Sequence, residues 1–306
     1  MARQRAHVQP FAGRIGGNQE LVLDRDDPRS AEILEKAPDA APLMTAREGL
    51  SLQGFLNLDY WKFGLIEGIG KSSTMLNVFV SSWLAIRPNS ASVVPTGPAG
   101  VFATANFLGP LIGGFGNWVF LTLFIFSFSN VSGSHLNPTI TMATFFARLI
   151  SLPRMVIYIF SQTAGGTIAG LMLRAAYGTR DFTTGGCFVD TSLVPVDDAF
   201  LLEFVFCLLL IFLSFGVGLD PRQSTVYGPA LSPFLVGMVL FGVSLGSSFT
   251  RIGYAGASAN PARCFGVYVA TSFPSYHWIH WVGPLAASIG HGIVYLVVPP
   301  WKAQEL

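Results

Sequence analysis

Charge is what this chain has least of. Only 11% of its 306 residues are Asp, Glu, Lys or Arg, against 51% that are hydrophobic, where soluble domains carry about 25% charged residues. Mean hydropathy is +0.52. The deficit excludes an ordinary soluble domain and points to an integral membrane protein with several spans, its partner being the lipid bilayer. A formal net charge of +1 gives no reason to expect a nucleic-acid partner. Cysteine is equally scarce. Cys187, Cys207 and Cys264 cannot build a disulfide framework, and without a CxxC or His/Cys cluster no metal is expected. No nucleophile–base pair or cofactor motif is visible, which disfavours an enzyme and leaves no cofactor to expect.

The charge that exists is gathered at one end. Residues 1–62 hold 8 of the 18 basic and 9 of the 17 acidic residues and include "DRDDPRSAEILEKAPDAAP", with no long apolar stretch and no signal-peptide core. Residues 1–60 therefore read as a hydrophilic tail, mostly flexible, with room for one short helix. A solvated tail is favoured over a regulatory motif.

The remainder of the chain is apolar in long runs. Six stretches reach the length of about 20 residues that a spanning helix needs: 63–86, 108–129, 154–176, 199–219, 230–249 and 277–299. Gly113, Gly114 and Gly116 in the second, and Gly165, Gly166 and Gly170 in the third, form small-residue faces that let helices approach. An even number of spans puts both termini on one side. With that side cytoplasmic, the inner flanks carry Arg47, Lys62, Arg148, Arg154, Arg222 and Lys302, and the outer ones Arg87, Arg174, Arg180 and Arg251. The bias follows the preference of short cytoplasmic loops for basic residues.

Two apolar segments are too short to span: "PTITMATFFARL" at 138–149 and "PARCFGVYVATS" at 261–272. Each opens on a proline preceded by asparagine, and proline suits the first position of a helix as asparagine suits its cap. Asn137 and Asn260 thus mark the starts of two short re-entrant helices, whose irregular lead-ins must line a cavity or be buried in protein. They occupy corresponding places in the first and last three spans. Three spans plus a half-helix, repeated once, give an inverted repeat, 61–176 and 199–299, with a permeation or binding site where the half-helices meet. Glu67 and Glu203 are the matching intramembrane carboxylates, functional or at least paired. Lys71 stands four residues after Glu67, as an i,i+4 ion pair or a side chain snorkelling to the interface.

These residues resemble those of the aquaporin superfamily of major intrinsic proteins. "SGSHLNPTIT" resembles its first Asn-Pro-Ala loop and "GASANPAR" its second, and "HWIHWVGPL" in the last span also fits. The "NPARC" and "GGC" elements look like the uncategorised X-intrinsic subfamily. One departure is Thr139, where the family has a small alanine. The resemblance implies an all-α bundle of six transmembrane helices and two half-helices over 61–300, followed by a short tail at 301–306. It further implies a homotetramer with one pore per subunit, passing water or small uncharged solutes and located in the plasma membrane. The pore elements would be Asn137, Pro138, Thr139 and Asn260, Pro261, Ala262. Arg263 would form the outer filter, with a structural salt bridge as its alternative reading. Counting along the family pattern gives Asn117, Ala257 and, on the fifth span, Ser244 as the other filter positions; counting back from Asn260 instead gives Ser248. Such a filter has neither aromatic nor histidine side chains, which implies room for hydrogen peroxide, glycerol or urea-sized solutes.

His135 is expected in the inner vestibule, bonded to backbone in preference to acting as a pH sensor. His277, His280 and His291 are expected to pack in or beside the last span. Helical geometry turns Cys264 about 100° away from Arg263 and into the wall behind the filter. Cys187 follows two glycines in a loop assigned to the outer, oxidising side. A Cys187–Cys264 disulfide is therefore expected, with two separate free thiols as the alternative, and Cys207 as a buried small hydrophobe. Two rival functions stand beside a channel: a non-conducting scaffold or adhesion protein, and a secondary transporter, for which the core offers no cluster of coupling-ion ligands.

Overall fold

The computed structural model describes residues 10–16, 22–69, 74–88, 108–221 and 224–297, and among these helices dominate. The first expected span is represented by α3 (Leu58–Gly68) and α4 (Thr74–Trp83). The second and third are α5 (Leu108–Ser132) and α7 (Leu152–Tyr177). The fourth is α8 (Val196–Ser214), continued by a π-helical turn at Phe215–Leu219. The fifth is α9 (Ser224–Ser247), kinked at Gly228, and the sixth is α11 (Ile279–Val297). Among the described residues four helices are by themselves long and apolar enough to cross a membrane: Gly109–Ser132, Leu152–Tyr177, Val196–Leu219 and Ala230–Ser247. In α11 the polar residues His280, Ser288 and His291 and the internal Pro284 dilute the hydropathy. The two short segments are α6 (Pro138–Phe146) and α10 (Pro261–Ala270), each proline-started and asparagine-capped as the sequence dictates.

Packing partners display the inverted repeat. The half-helix α6 lies on α11 and α10 lies on α7; α3 and α4 pack on α7 as α8 packs on α11, and α5 faces α9. Every one of these contacts maps onto its counterpart when the halves are exchanged. Glycines set the closest approach. A Cβ on Gly170 would stand 1.9 Å from the Gly266 carbonyl oxygen, and one on Gly166 2.2 Å from that of Ala262. Backbones of α7 and α10 therefore touch directly, as small residues allow. The outward faces carry exposed Phe115, Leu123, Phe160, Leu201 and Ile293, which is where a multi-pass integral membrane protein meets lipid.

The mostly flexible tail expected over 1–60 is not what residues 10–16 and 22–60 form. Asp39 is fully buried, accepting from Arg154 Nε at 2.6 Å and from the Tyr60 hydroxyl at 2.9 Å. The Arg154 guanidinium lies over the rings of Phe11 and Tyr60, 4.1 and 4.2 Å from their centroids. The Met44 amide donates to the Arg148 carbonyl at 3.2 Å, while α1 (Ala31–Lys36) and α2 (Ala46–Gly49) complete the segment. The physical reason is long-range contact, a buried ion pair foremost. Composition marks the segment as hydrophilic and cannot show that one of its carboxylates meets a buried guanidinium 115 residues away. Lys71, with its expected pairing to Glu67, lies outside the described residues, as do Arg222 and Lys302.

Candidate pore

The two half-helices meet head to head and hold one another. Asn137 Nδ2 donates to the Ala259 carbonyl at 2.7 Å, and Asn260 Nδ2 donates to the Leu136 carbonyl at 3.1 Å. Their Oδ1 atoms meanwhile cap their own helices, accepting from Thr139 N at 2.9 Å and from Arg263 N at 3.3 Å. Leu136 and Ala259, the residues that present the exchanged carbonyls, both lie in the left-handed region, at φ 55° and 54°. Non-glycine residues hold that conformation only when their surroundings over-determine it. Here two fully buried carboxylates do so. Glu67 accepts from the Leu136 amide and from Gln162 Nε2, and Glu203 accepts from the amides of Ser258 at 3.0 Å and Ala259 at 2.9 Å. Glu67 and Glu203 are thus paired with pore-loop backbone, one in each repeat.

A cavity runs past this junction, and Asn137, Asn260, Asn117, Ala257 and Arg263 all line it. Pro138, Thr139, Pro261 and Ala262 are buried in the bundle and do not line it. Thr139, the departure from alanine, is fully buried and its Oγ1 has no hydrogen-bond partner among the described residues, so the substitution bears on packing and not on the passage. Ser244 on α9 and Ser248, the first residue past its end, both line the cavity, and Ser248 Oγ donates to the Ser244 carbonyl at 2.7 Å. Asn117 Oδ1 has no protein hydrogen-bond partner among the described residues.

Arg263 is 8% exposed and held by carbonyls: Nη2 donates to Gly185 at 2.8 Å and to Ser81 at 3.3 Å. Carbonyls orient the guanidinium without neutralising it, so its charge stays directed at the cavity. The loop that supplies Gly185 is fixed from several sides. β1 (Ile86–Pro88) pairs antiparallel with β2 (Phe182–Thr184), and the Gly186 amide donates to Ala255 at 2.8 Å. Gly186 itself has φ +82°, and a Cβ there would lie 2.8 Å from Arg263 Nη1. Only glycine meets both conditions. Cys187 and Cys264 are joined as a disulfide, with Cα atoms 5.3 Å apart, and Cys264 is fully buried beside Arg263 in sequence. The Tyr268 hydroxyl adds a bond to the Cys187 carbonyl at 2.7 Å. Cys207 is buried, with its Sγ 3.7 Å from Glu203 Oε1.

On the α6 side of the junction, His135 is buried, with Nδ1 at 3.1 Å from Thr141 Oγ1 and Nε2 at 2.6 Å from the Gly13 carbonyl. It is thus bonded to backbone, but to backbone of the N-terminal segment. Ile15 of that segment also lines the cavity. Sequence reading missed this element; its only local signal is the apolar Phe11 and Ile15 set among glycines and charge.

The comparisons with known proteins agree with this geometry. The profile of the family described as "Major intrinsic protein" matches residues 69–295. A probable aquaporin TIP4-1 of Oryza sativa subsp. japonica is 32% identical over 54% of this chain and 62% of its own length. Aquaporin TIP1-2 of Zea mays is 33% identical over 56% of this chain and 63% of its own. The chain therefore spans less than two thirds of the length of these relatives. Among solved structures, the aquaglyceroporin from Plasmodium falciparum superposes with a TM-score of 0.57, covering 78% of this chain and 95% of its own at 16% identity, a likeness of fold. With the inverted repeat, the paired asparagines and a profile match over most of its length, the chain belongs to the major intrinsic protein family.

Proposed function

We propose that the chain is a passive channel for water and small uncharged solutes that rejects ions. The observation that carries this reading is the crosswise pair of asparagine amides at the middle of a cavity, where two helix N-termini face each other. Aligned peptide dipoles make each N-terminus positive. A permeating oxygen meets amide donors there, while a cation meets a positive potential and no compensating ligands. Arg263 adds a full charge toward one mouth, at the position where the family resemblance places its selectivity filter.

The proposed filter is Asn117, Ala257 and Arg263, with Ser244 as the fifth-span member and Ser248 beside it along the cavity. Small polar side chains leave more room than aromatic ones, which favours glycerol, hydrogen peroxide or urea alongside water. The disulfide supports placing the filter face in an oxidising compartment. That makes the opposite face, with the N-terminal segment, cytoplasmic, as expected for a plasma-membrane protein. The same disulfide joins the "GGC" and "NPARC" elements on which the resemblance to the X-intrinsic subfamily rests. A homotetramer is the assembly proposed.

The test is a stopped-flow panel on proteoliposomes holding the purified protein, with water, hydrogen peroxide, glycerol and urea as permeants. We expect uptake of at least glycerol or peroxide in addition to water flux, and a range narrowed toward water by Asn117→Phe. Vesicles that pass water alone would remove the wide filter; vesicles that pass nothing would remove the channel.

A further inference from the structure

Residues 11–16 are built into the passage itself. Ile15 is 1% exposed and packs in one apolar cluster with Leu136, Ile140 and Val236, which line the cavity with it. Its backbone is bonded on both sides: its amide donates to the Gly133 carbonyl at 3.0 Å, and its own carbonyl accepts from Ser129 Oγ. On one flank the Gly16 amide donates to the Gly218 carbonyl at 2.9 Å. On the other, the Gly13 carbonyl contacts His135 Nε2, and the Ala12 amide donates to the Asp39 carbonyl at 2.8 Å. Phe11 closes the series against the guanidinium of Arg154. The segment is thus tied to α5, to the π-helical turn, to the lead-in of α6 and to the tail around Asp39.

We propose that residues 11–16 form an intramolecular plug that closes the mouth of the pore opposite Arg263, so that the structure is the closed form. The inference rests on the channel reading above. An isoleucine among apolar walls leaves a water file nothing to bond to, and the surrounding backbone groups are already satisfied by the segment. Each of these bonds runs between the segment and groups outside it, so withdrawal breaks none of the bonds within the membrane helices. Docking is also conditional on glycine. Gly16 adopts φ +60°, and a Cβ there would stand 2.7 Å from Pro233 Cγ. A side chain at this position therefore opposes the docked state while leaving every pore-lining residue as it is.

The experiment compares the full chain, Gly16→Val and a form lacking residues 1–16 in proteoliposomes, with water flux normalised per channel. Both changes should raise flux roughly tenfold, the ratio between a fully open population and one about one-tenth open. A second readout follows the segment directly. Ile15→Cys adds a thiol to a chain whose other cysteines are a disulfide and buried Cys207. A membrane-impermeant maleimide should label it slowly, and quickly once Gly16→Val is added. Equal, non-zero flux in all three forms overturns the plug, as does faster labelling with unchanged flux. Zero flux in every form overturns the channel reading and the plug with it.

Discussion

Arg263 keeps a positive charge in a nearly closed space because two carbonyls face its Nη2 atom and the disulfide stands beside Nη1. In the proposed channel its worth is then electrostatic, since among the described residues it carries no ion pair that truncation would strand. We expect Arg263→Val to pass protons or small cations while keeping solute flux, read as collapse of a pH gradient across vesicles. A variant as cation-tight as the parent would leave the barrier to the half-helix dipoles alone. At this scale Asn137, Asn260 and Arg263 were legible, because helix-capping chemistry and the cost of a guanidinium in lipid single them out. The exchange of amides between repeats was not. Its acceptors are main-chain carbonyls, which every residue has and no sequence marks.

Among elements, the loop from β2 to α8 is held by backbone bonds and by one covalent tie. The bridge between Cys187 and Cys264 spans a sequence separation of 77, for which chain entropy gives an upper bound of about 4–5 kcal/mol. Neighbouring helices already restrain that stretch, so Cys187→Ser should cost less, roughly 2 kcal/mol. We expect a lower thermal midpoint in detergent and a broader solute range, because Gly185 would be held against Arg263 by backbone bonds alone. Unchanged selectivity in a folded variant would assign the bridge to stability only. The six span positions were readable from hydropathy, and the half-helices from their shortness. Which of Ser244 and Ser248 belongs to the proposed filter was not readable, because helix register and loop counting disagree and both residues line the cavity.

Over the whole molecule, the N-terminal segment departs most from expectation, and one ion pair accounts for much of it. Asp39 and Arg154 have side chains 0% and 2% exposed. Removing one charge leaves the other buried without its partner, a loss of about 3–5 kcal/mol. Asp39→Asn should therefore lower thermal stability and expose the tail to protease, while Lys36→Gln, which breaks an exposed pair with Glu32, should do neither. Equal behaviour of the two variants would show that the tail docks through its apolar residues alone.

The crosswise amides also bear on how the protein is made. A ribosome delivers α6 well before α10, so Asn137 enters the bilayer when the Ala259 carbonyl it bonds has not been synthesised. Nor has α11, the surface on which α6 rests. The first half is thus inserted as an unfinished wall, and the passage comes into being only when the second half arrives and completes it.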